Sequence, residues 1–191
     1  MKKKLSQKAD KYELYEEAVQ NVDFEVDFYQ KMFKKYSSRK AKDLREDFCA
    51  SAKISSKWVS ECEDHFAYAI DLDEKILKYA KKISQDDLTI NQTKRLRFIK
   101  ANSINYSSPK VDIVSACNFS YWVFKKRDQL IRYFKNSNRC LKKDGLFILD
   151  AFGGYEAHQE LEERTKYKNF TYVWDQDSFN PITNDLTCFI H

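Results

Sequence analysis

Glu46, Asp71, Asn102 and Asn118 stand at the ends of four successive strand-like segments of this chain. Each alone reads as a helix cap or a turn residue, but four in a row describe the rim of a pocket. The chemistry they suit is capture of a nucleoside. A carboxylate such as Asp71 can take both ribose hydroxyls, and a helix starting just after Glu46 offers backbone N–H groups to the polar end of a ligand. Between Glu46 and that helix runs Phe48-Cys49-Ala50-Ser51-Ala52, a mostly small-residue bend that lacks the glycines usual in such a turn. The ligand's identity therefore has to come from other residues.

The surrounding pattern supplies the frame. Strand candidates fall at 42–48, 66–71, 96–101, 111–117 and 145–150, with helices between them at 51–62, 74–84 and about 124–141. Crossovers of this length join parallel strands and place helices on both faces of a sheet. Val111 to Cys117 is nearly continuous apolar sequence, as a central parallel strand requires. Before this core, residues 10–37 have helical periodicity broken near Asn21-Val22-Asp23, with Asp23 the expected cap of the second helix. After Gly153-Gly154, residues 155–165 read as helix. Phe170–Trp174 and Leu186–Ile190 then read as a hairpin over one end of the sheet, its loop containing Asn180-Pro181. The expected divisions are a helical extension over 1–40, a cofactor-binding core over 41–154 and a helix plus hairpin over 155–191.

A chain of 191 residues with 42% apolar and 15% aromatic content buries one core and is not disordered. No apolar run approaches the ~20 residues of a membrane span. Lys2-Lys3-Lys4 resembles a signal n-region, but charge follows where an apolar stretch is needed, so the expected location is cytoplasmic. The five cysteines include no C-x-x-C pair and suit thiols in a reducing compartment. Three scattered histidines lack metal-ligand spacing, so no metal is expected. A net charge of +5, from 34 basic and 29 acidic residues, gives weak grounds for a nucleic-acid partner. There is no G-x-G-x-x-G turn, which disfavours a nucleotide-dependent oxidoreductase.

Longer strings carry a resemblance. Leu44-Arg45-Glu46-Asp47-Phe48-Cys49-Ala50-Ser51-Ala52, Ile70-Asp71-Leu72-Asp73, Asn118-Phe119-Ser120-Tyr121-Trp122, Leu149-Asp150-Ala151-Phe152-Gly153-Gly154 and Tyr172-Val173-Trp174-Asp175-Gln176 occur in that order. The chain resembles the class I S-adenosylmethionine-dependent methyltransferases, in particular the poorly characterised branch whose first motif reads L-R-E-D-F-C-G-T-A. The resemblance implies an α/β, Rossmann-like three-layer sandwich with S-adenosylmethionine as cofactor and a small-molecule substrate.

By position in those motifs, Glu46 lies near the methionine ammonium, and Phe48, Cys49, Ala50 and Ala52 form the first-motif turn. The resemblance assigns the ribose to Asp71 and the adenine to Leu72, Asn102 and Ser103. Asn118 and Phe119 line the floor beneath the sulfonium. Tyr15, Tyr121, Trp122 and Trp174 are candidates for an aromatic wall around the substrate, with ordinary core packing as the plainer reading. Asn118-Phe119-Ser120-Tyr121 has the spacing of an N-P-P-Y motif but neither proline, so methylation of a nucleic-acid base amino group is disfavoured. No catalytic residue is assigned, because methyl transfer can proceed by orientation and desolvation alone.

Two departures stand out. Ala50 replaces a glycine of the branch and is expected to need negative φ. The family's final helix and strand pair are also absent from the sequence. A non-catalytic cofactor binder is therefore the alternative reading, as is a split product whose exposed sheet edge is covered by a complementary chain or a second copy.

Overall fold

The computed structural model describes residues 10–191, so the Lys2-Lys3-Lys4 run lies outside the described residues. Two compact units are formed. Residues 21–151 make one; the described residues 10–20 together with 152–191 make the other.

The larger unit opens with α2 (Val22–Tyr36), after α1 (Lys11–Val19) of the other unit. Asn21, not Asp23, caps α2: its side chain accepts the Phe24 N–H at 3.2 Å. Asp23 falls in the first turn instead, where a carboxylate suits the helix dipole, and pairs with Lys57 at 2.7 Å. Five strands follow, β1 (Asp43–Asp47), β2 (Phe66–Asp71), β3 (Leu96–Lys100), β4 (Val111–Ala116) and β5 (Leu141–Leu149), with α3 (Lys53–Glu61), α4 (Glu74–Asp87), a short α5 (Ile90–Thr93) and α6 (Arg127–Cys140) between them. The sheet is parallel throughout and ordered β3-β2-β1-β4-β5. Strand order thus reverses between β1 and β4, and their carboxyl ends flank the crevice where such sheets bind ligands.

Period-2 alternation in β1 divides its chemistry between the two faces. Leu44 joins Val26, Tyr29, Phe33, Trp58 and Ala80 in a core beneath α2, α3 and α4. Arg45 and Asp47 point the other way, to Tyr133 and Cys140 of α6, and both are fully buried. Every residue of β4 is buried, as its composition predicts for a central strand. Even Asp112 is enclosed, accepting the N–H groups of Lys42 at 2.7 Å and Asp43 at 2.9 Å. The register of β5 on β4 slips between Leu141 and Leu146. Gly145 lies in that slip, where an added Cβ would sit 3.0 Å from the carbonyl oxygens of Asp112 and Lys142.

The smaller unit corrects one expectation. Residues 155–165 are not a helix: a single 3-10 turn (Glu156–His158) leads into strand β6 (Leu161–Lys166). With β7 (Thr171–Asn180) and β8 (Asp185–Ile190) this makes a three-stranded antiparallel sheet rather than a two-stranded hairpin. The Glu-rich run 160–164 favours helix locally, but a tight return overrides that preference. The Tyr167 N–H donates to the Phe170 carbonyl at 2.9 Å and their rings stack at 4.7 Å, which pairs Lys166 with Thr171 and the rest in step. No helix among the described residues is long and apolar enough to cross a membrane.

Candidate functional site

The site begins at the end of β1. Glu46 is 5% exposed, and its Oε2 accepts both the N–H (3.0 Å) and the hydroxyl of Ser55 in the first turn of α3. Ala52, the N-cap residue of α3, has no side-chain acceptor, so a strand carboxylate satisfies a helix donor that a Ser or Asp cap would ordinarily serve. Burial pushes the Glu46 carboxyl up to about 8 against the opposing bonds from Ser55.

Three residues of the connecting turn occupy left-handed backbone: Phe48 (φ 57°), Ala50 (φ 45°) and Ala52 (φ 56°). The expectation that an alanine at position 50 requires negative φ is therefore wrong. The turn keeps a glycine-type path with side chains in place, because neighbouring groups hold it there. The Cys49 N–H donates to Ile70 O at 3.0 Å, the Ala52 N–H to Cys49 O at 2.6 Å, and the Ala50 N–H to Asp71 Oδ2 at 3.1 Å. Phe48 turns its ring onto Phe124 and Tyr133, at 5.9 and 6.0 Å. Cys49 is buried, which raises its thiol well above the ordinary range.

Asp71 ends β2 beside this turn. Its second oxygen accepts the Asp73 N–H at 2.9 Å, so each carboxylate oxygen has one backbone donor and further acceptor capacity. Leu72 is 65% exposed next to it, an apolar surface beside a polar clamp. After β3, the Asn102 Oδ1 accepts the Ile104 N–H at 3.1 Å and shapes the loop. Ser103 is buried, and its carbonyl accepts from Arg45 Nη2 (3.1 Å) and Asn136 Nδ2 (3.0 Å).

The end of β4 carries a second left-handed turn, at Asn118 (φ 53°) and Phe119 (φ 41°). Both N–H groups donate to the Asp150 carboxylate at the end of β5, at 2.7 and 2.6 Å. Trp122 leans on Phe119 at 5.6 Å and is 40% exposed. Tyr121 packs against Phe134 with the Ile104–Tyr133 cluster, the plainer of its two readings. Tyr15 and Trp174 belong to the other unit. There Trp174 packs on Phe152 at 5.6 Å and donates to Gln176 Oε1 at 3.1 Å, while burial raises the Tyr15 hydroxyl.

Sequence reasoning missed Asp150 and Glu25 as site residues. Glu25 lies on the α2 stripe, four residues before Tyr29, so an acid at a core-facing position was the available signal. Burial, then the charge of Asp150, pushes its carboxyl up to about 7, and its buried Oε2 has no hydrogen-bond partner. The Tyr29 hydroxyl and Cys117 Sγ meet at 2.9 Å beside it, and burial takes the Cys117 thiol up to about 12. Among the described residues no His, Cys, Asp or Glu cluster could hold a metal.

The arrangement is rich in acceptors and can take hydroxyl groups at one strand end and a cationic group at the crevice. Asp71 is an acceptor pair at one strand end, Leu72 an apolar ledge, and Glu46, Glu25 and Asp150 are carboxyl groups around the β1/β4 crevice. At Ala50 the turn presents only a methyl group.

Residues 47–149 match the methyltransferase-domain family, and the chain belongs to that family. No curated protein matches the sequence. Among solved structures, an S-adenosylmethionine-dependent methyltransferase from Clostridium acetobutylicum superposes with a TM-score of 0.69 at 17% identity, over 94% of this chain and 77% of that one. DesVI of Streptomyces venezuelae gives 0.71 at 12% identity, over 100% and 83%. The sugar N-methyltransferase KedS8 from Streptoalloteichus gives 0.66 at 14%, over 100% and 78%. The fold is thus the Rossmann-like methyltransferase fold.

Proposed function

We propose that this chain transfers a methyl group from S-adenosylmethionine to a small molecule. One observation carries the reading. The Asp71 carboxylate and the Phe48–Ala52 turn are hydrogen-bonded into a single unit at the strand-order reversal of a methyltransferase fold. In this reading Asp71 takes the ribose hydroxyls, and Leu72 with the Asn102–Ser103 loop borders the adenine. Glu46 and the α3 start face the amino-acid tail, and Asn118 and Phe119 lie below the sulfonium, whose methyl is the electrophile when the cofactor is bound.

Glu25 is the group we assign to the acceptor's proton. A carboxyl held near 7 by burial accepts a proton at neutral pH far better than an ordinary glutamate does. The Oε2 atom without a partner points to an amine or hydroxyl donor as its complement. Neighbours described as a sugar N-methyltransferase and a glycopeptide N-methyltransferase share this fold, which favours a nitrogen nucleophile. The free thiols suit a reducing cytoplasm.

Calorimetry with S-adenosylhomocysteine tests the cofactor, and release of label from methyl-labelled S-adenosylmethionine with amine-bearing acceptors tests the chemistry. No heat and no thermal shift at millimolar ligand would remove the whole reading. Binding without turnover on any acceptor would support the non-catalytic alternative.

A further inference from the structure

The helix after β4, α6, carries four basic side chains, Arg127, Arg132, Lys135 and Arg139, against one acid. Residues 125–143 contain eight lysines and arginines against the single acid Asp128, a larger excess than the +5 of the whole chain. Arg132, Lys135 and Arg139 fall three and four residues apart, so one face of α6 presents all three. With Ile104, Asn105 and Asn138 they line a cleft of about 400 Å³ between α6 and the loop after β3, and no acid lines it. Lys135 has no ion-pair partner among the described residues, and Arg132 meets only Asp128 at 3.5 Å, where both side chains are exposed.

The cleft has a rigid back wall. Asn136 is completely buried and donates to the carbonyls of Ser103 (3.0 Å) and Tyr106 (2.7 Å). Arg45, also fully buried, donates to the same two carbonyls at 3.1 and 2.9 Å. Asn136 Oδ1 in turn accepts from Arg139 Nη2 at 3.3 Å, which fixes that guanidinium at the cleft wall. Two guanidiniums and an ammonium in a concave, braced site form the arrangement that binds a phosphate group, since arginine presents paired donors to its oxygens.

We propose that this cleft is a second binding site, for a phosphorylated small molecule. The volume suits such a ligand, and the lining contains no aromatic ring on which a nucleic-acid base would stack. The inference does not depend on the methyltransferase reading, because the probe is applied to the protein without any nucleoside.

Calorimetric titration with inorganic pyrophosphate at fixed ionic strength tests it. We expect saturable, one-to-one binding that weakens about tenfold or more in R132Q/K135Q and is unchanged in K81Q, a control on α4. Both altered side chains are exposed, so the unliganded variant should unfold at the wild-type temperature. Absence of saturation at millimolar pyrophosphate would overturn the proposal, as would equal weakening by K81Q. A single-stranded oligonucleotide that binds far more tightly than pyrophosphate, with affinity falling steeply in salt, would also overturn it in favour of a nucleic-acid surface.

Discussion

The Ala50 N–H and the Asp71 Oδ2 lie 3.1 Å apart, tying the turn after β1 to the end of β2. Asp71 therefore orders the protein's own backbone as well as offering oxygens to a ligand. Asp71→Ala should weaken S-adenosylhomocysteine binding by about 1.5–3 kcal/mol, the scale of a charge-assisted hydrogen-bond pair. Asp71→Asn keeps one acceptor oxygen and should fall between. Calorimetry on the three proteins checks the order, and an unchanged affinity in Asp71→Ala would place the ribose elsewhere.

The left-handed turn predicts a graded response to glycine. A left-handed alanine carries about 1–2 kcal/mol of strain, offset in part by the extra unfolded-state freedom glycine brings. Ala50, half-buried at φ 45°, should gain about 0.5–1 kcal/mol on Ala50→Gly, with cofactor affinity unchanged or tighter. Ala52 is fully buried, so Ala52→Gly also loses about 0.8 kcal/mol of buried methyl and should come out nearly neutral. Phe48→Gly sacrifices ring contacts with Phe124 and Tyr133 and should destabilise by about 2 kcal/mol or more. Urea unfolding of the three variants separates the cases.

The parallel sheet was readable because apolar runs such as Val111–Ala116 leave few other folds open. The Asp71 position was readable from an acid at a strand end. Two things were not. The backbone sign at Ala50 depends on hydrogen bonds from residues about twenty positions away, and no local propensity reports them. The strand at Leu161–Lys166 is built from residues that favour helix, and only pairing with β7 decides its state. Glu25 and Asp150 escaped for a related reason. Asp150 looks like ordinary loop charge until β5 is set beside β4, and the one sign of Glu25 is its spacing from the buried Tyr29 on α2.

Stability should fall as pH rises through neutrality. Glu46 and Glu25 ordinarily titrate near 4.5 and are raised by burial to about 8 and about 7. Between the unfolded and folded values the folded chain binds more protons, so raising the pH favours unfolding. His65 opposes this below its ordinary 6.5, because burial lowers its imidazole and stability then grows with pH. The Glu46 contribution is thus clearest between about pH 7 and 8.5. Glu46→Gln, which still accepts from the Ser55 N–H, should flatten that slope in urea-unfolding midpoints. A wild-type midpoint that rises across the same interval would contradict the assignment.

The buried pair Arg45–Asp47 makes the strongest claim about what holds the site in place. Arg45 Nε meets Asp47 Oδ1 at 2.8 Å and Nη2 meets Oδ2 at 3.3 Å, while the Tyr133 hydroxyl donates to Oδ2 at 2.9 Å as the carboxylate's third donor. Burial raises the Asp47 carboxyl even so, with the Arg45 charge and bonds pulling the other way. The remaining Arg45 N–H groups hold the Ser103 and Tyr106 carbonyls, so one side chain ties β1 to the loop beside the proposed adenine position. Arg45→Met strands a buried carboxylate and frees that loop. It should cost about 3–5 kcal/mol of stability and weaken S-adenosylhomocysteine binding by raising its dissociation rate. Arg45→Met with Asp47→Leu removes both charges and should regain most of the stability but not the affinity, because the loop carbonyls stay untied. Unfolding and stopped-flow binding on the same two variants read the two effects apart, and recovery of affinity in the double variant would show that the loop needs no tether.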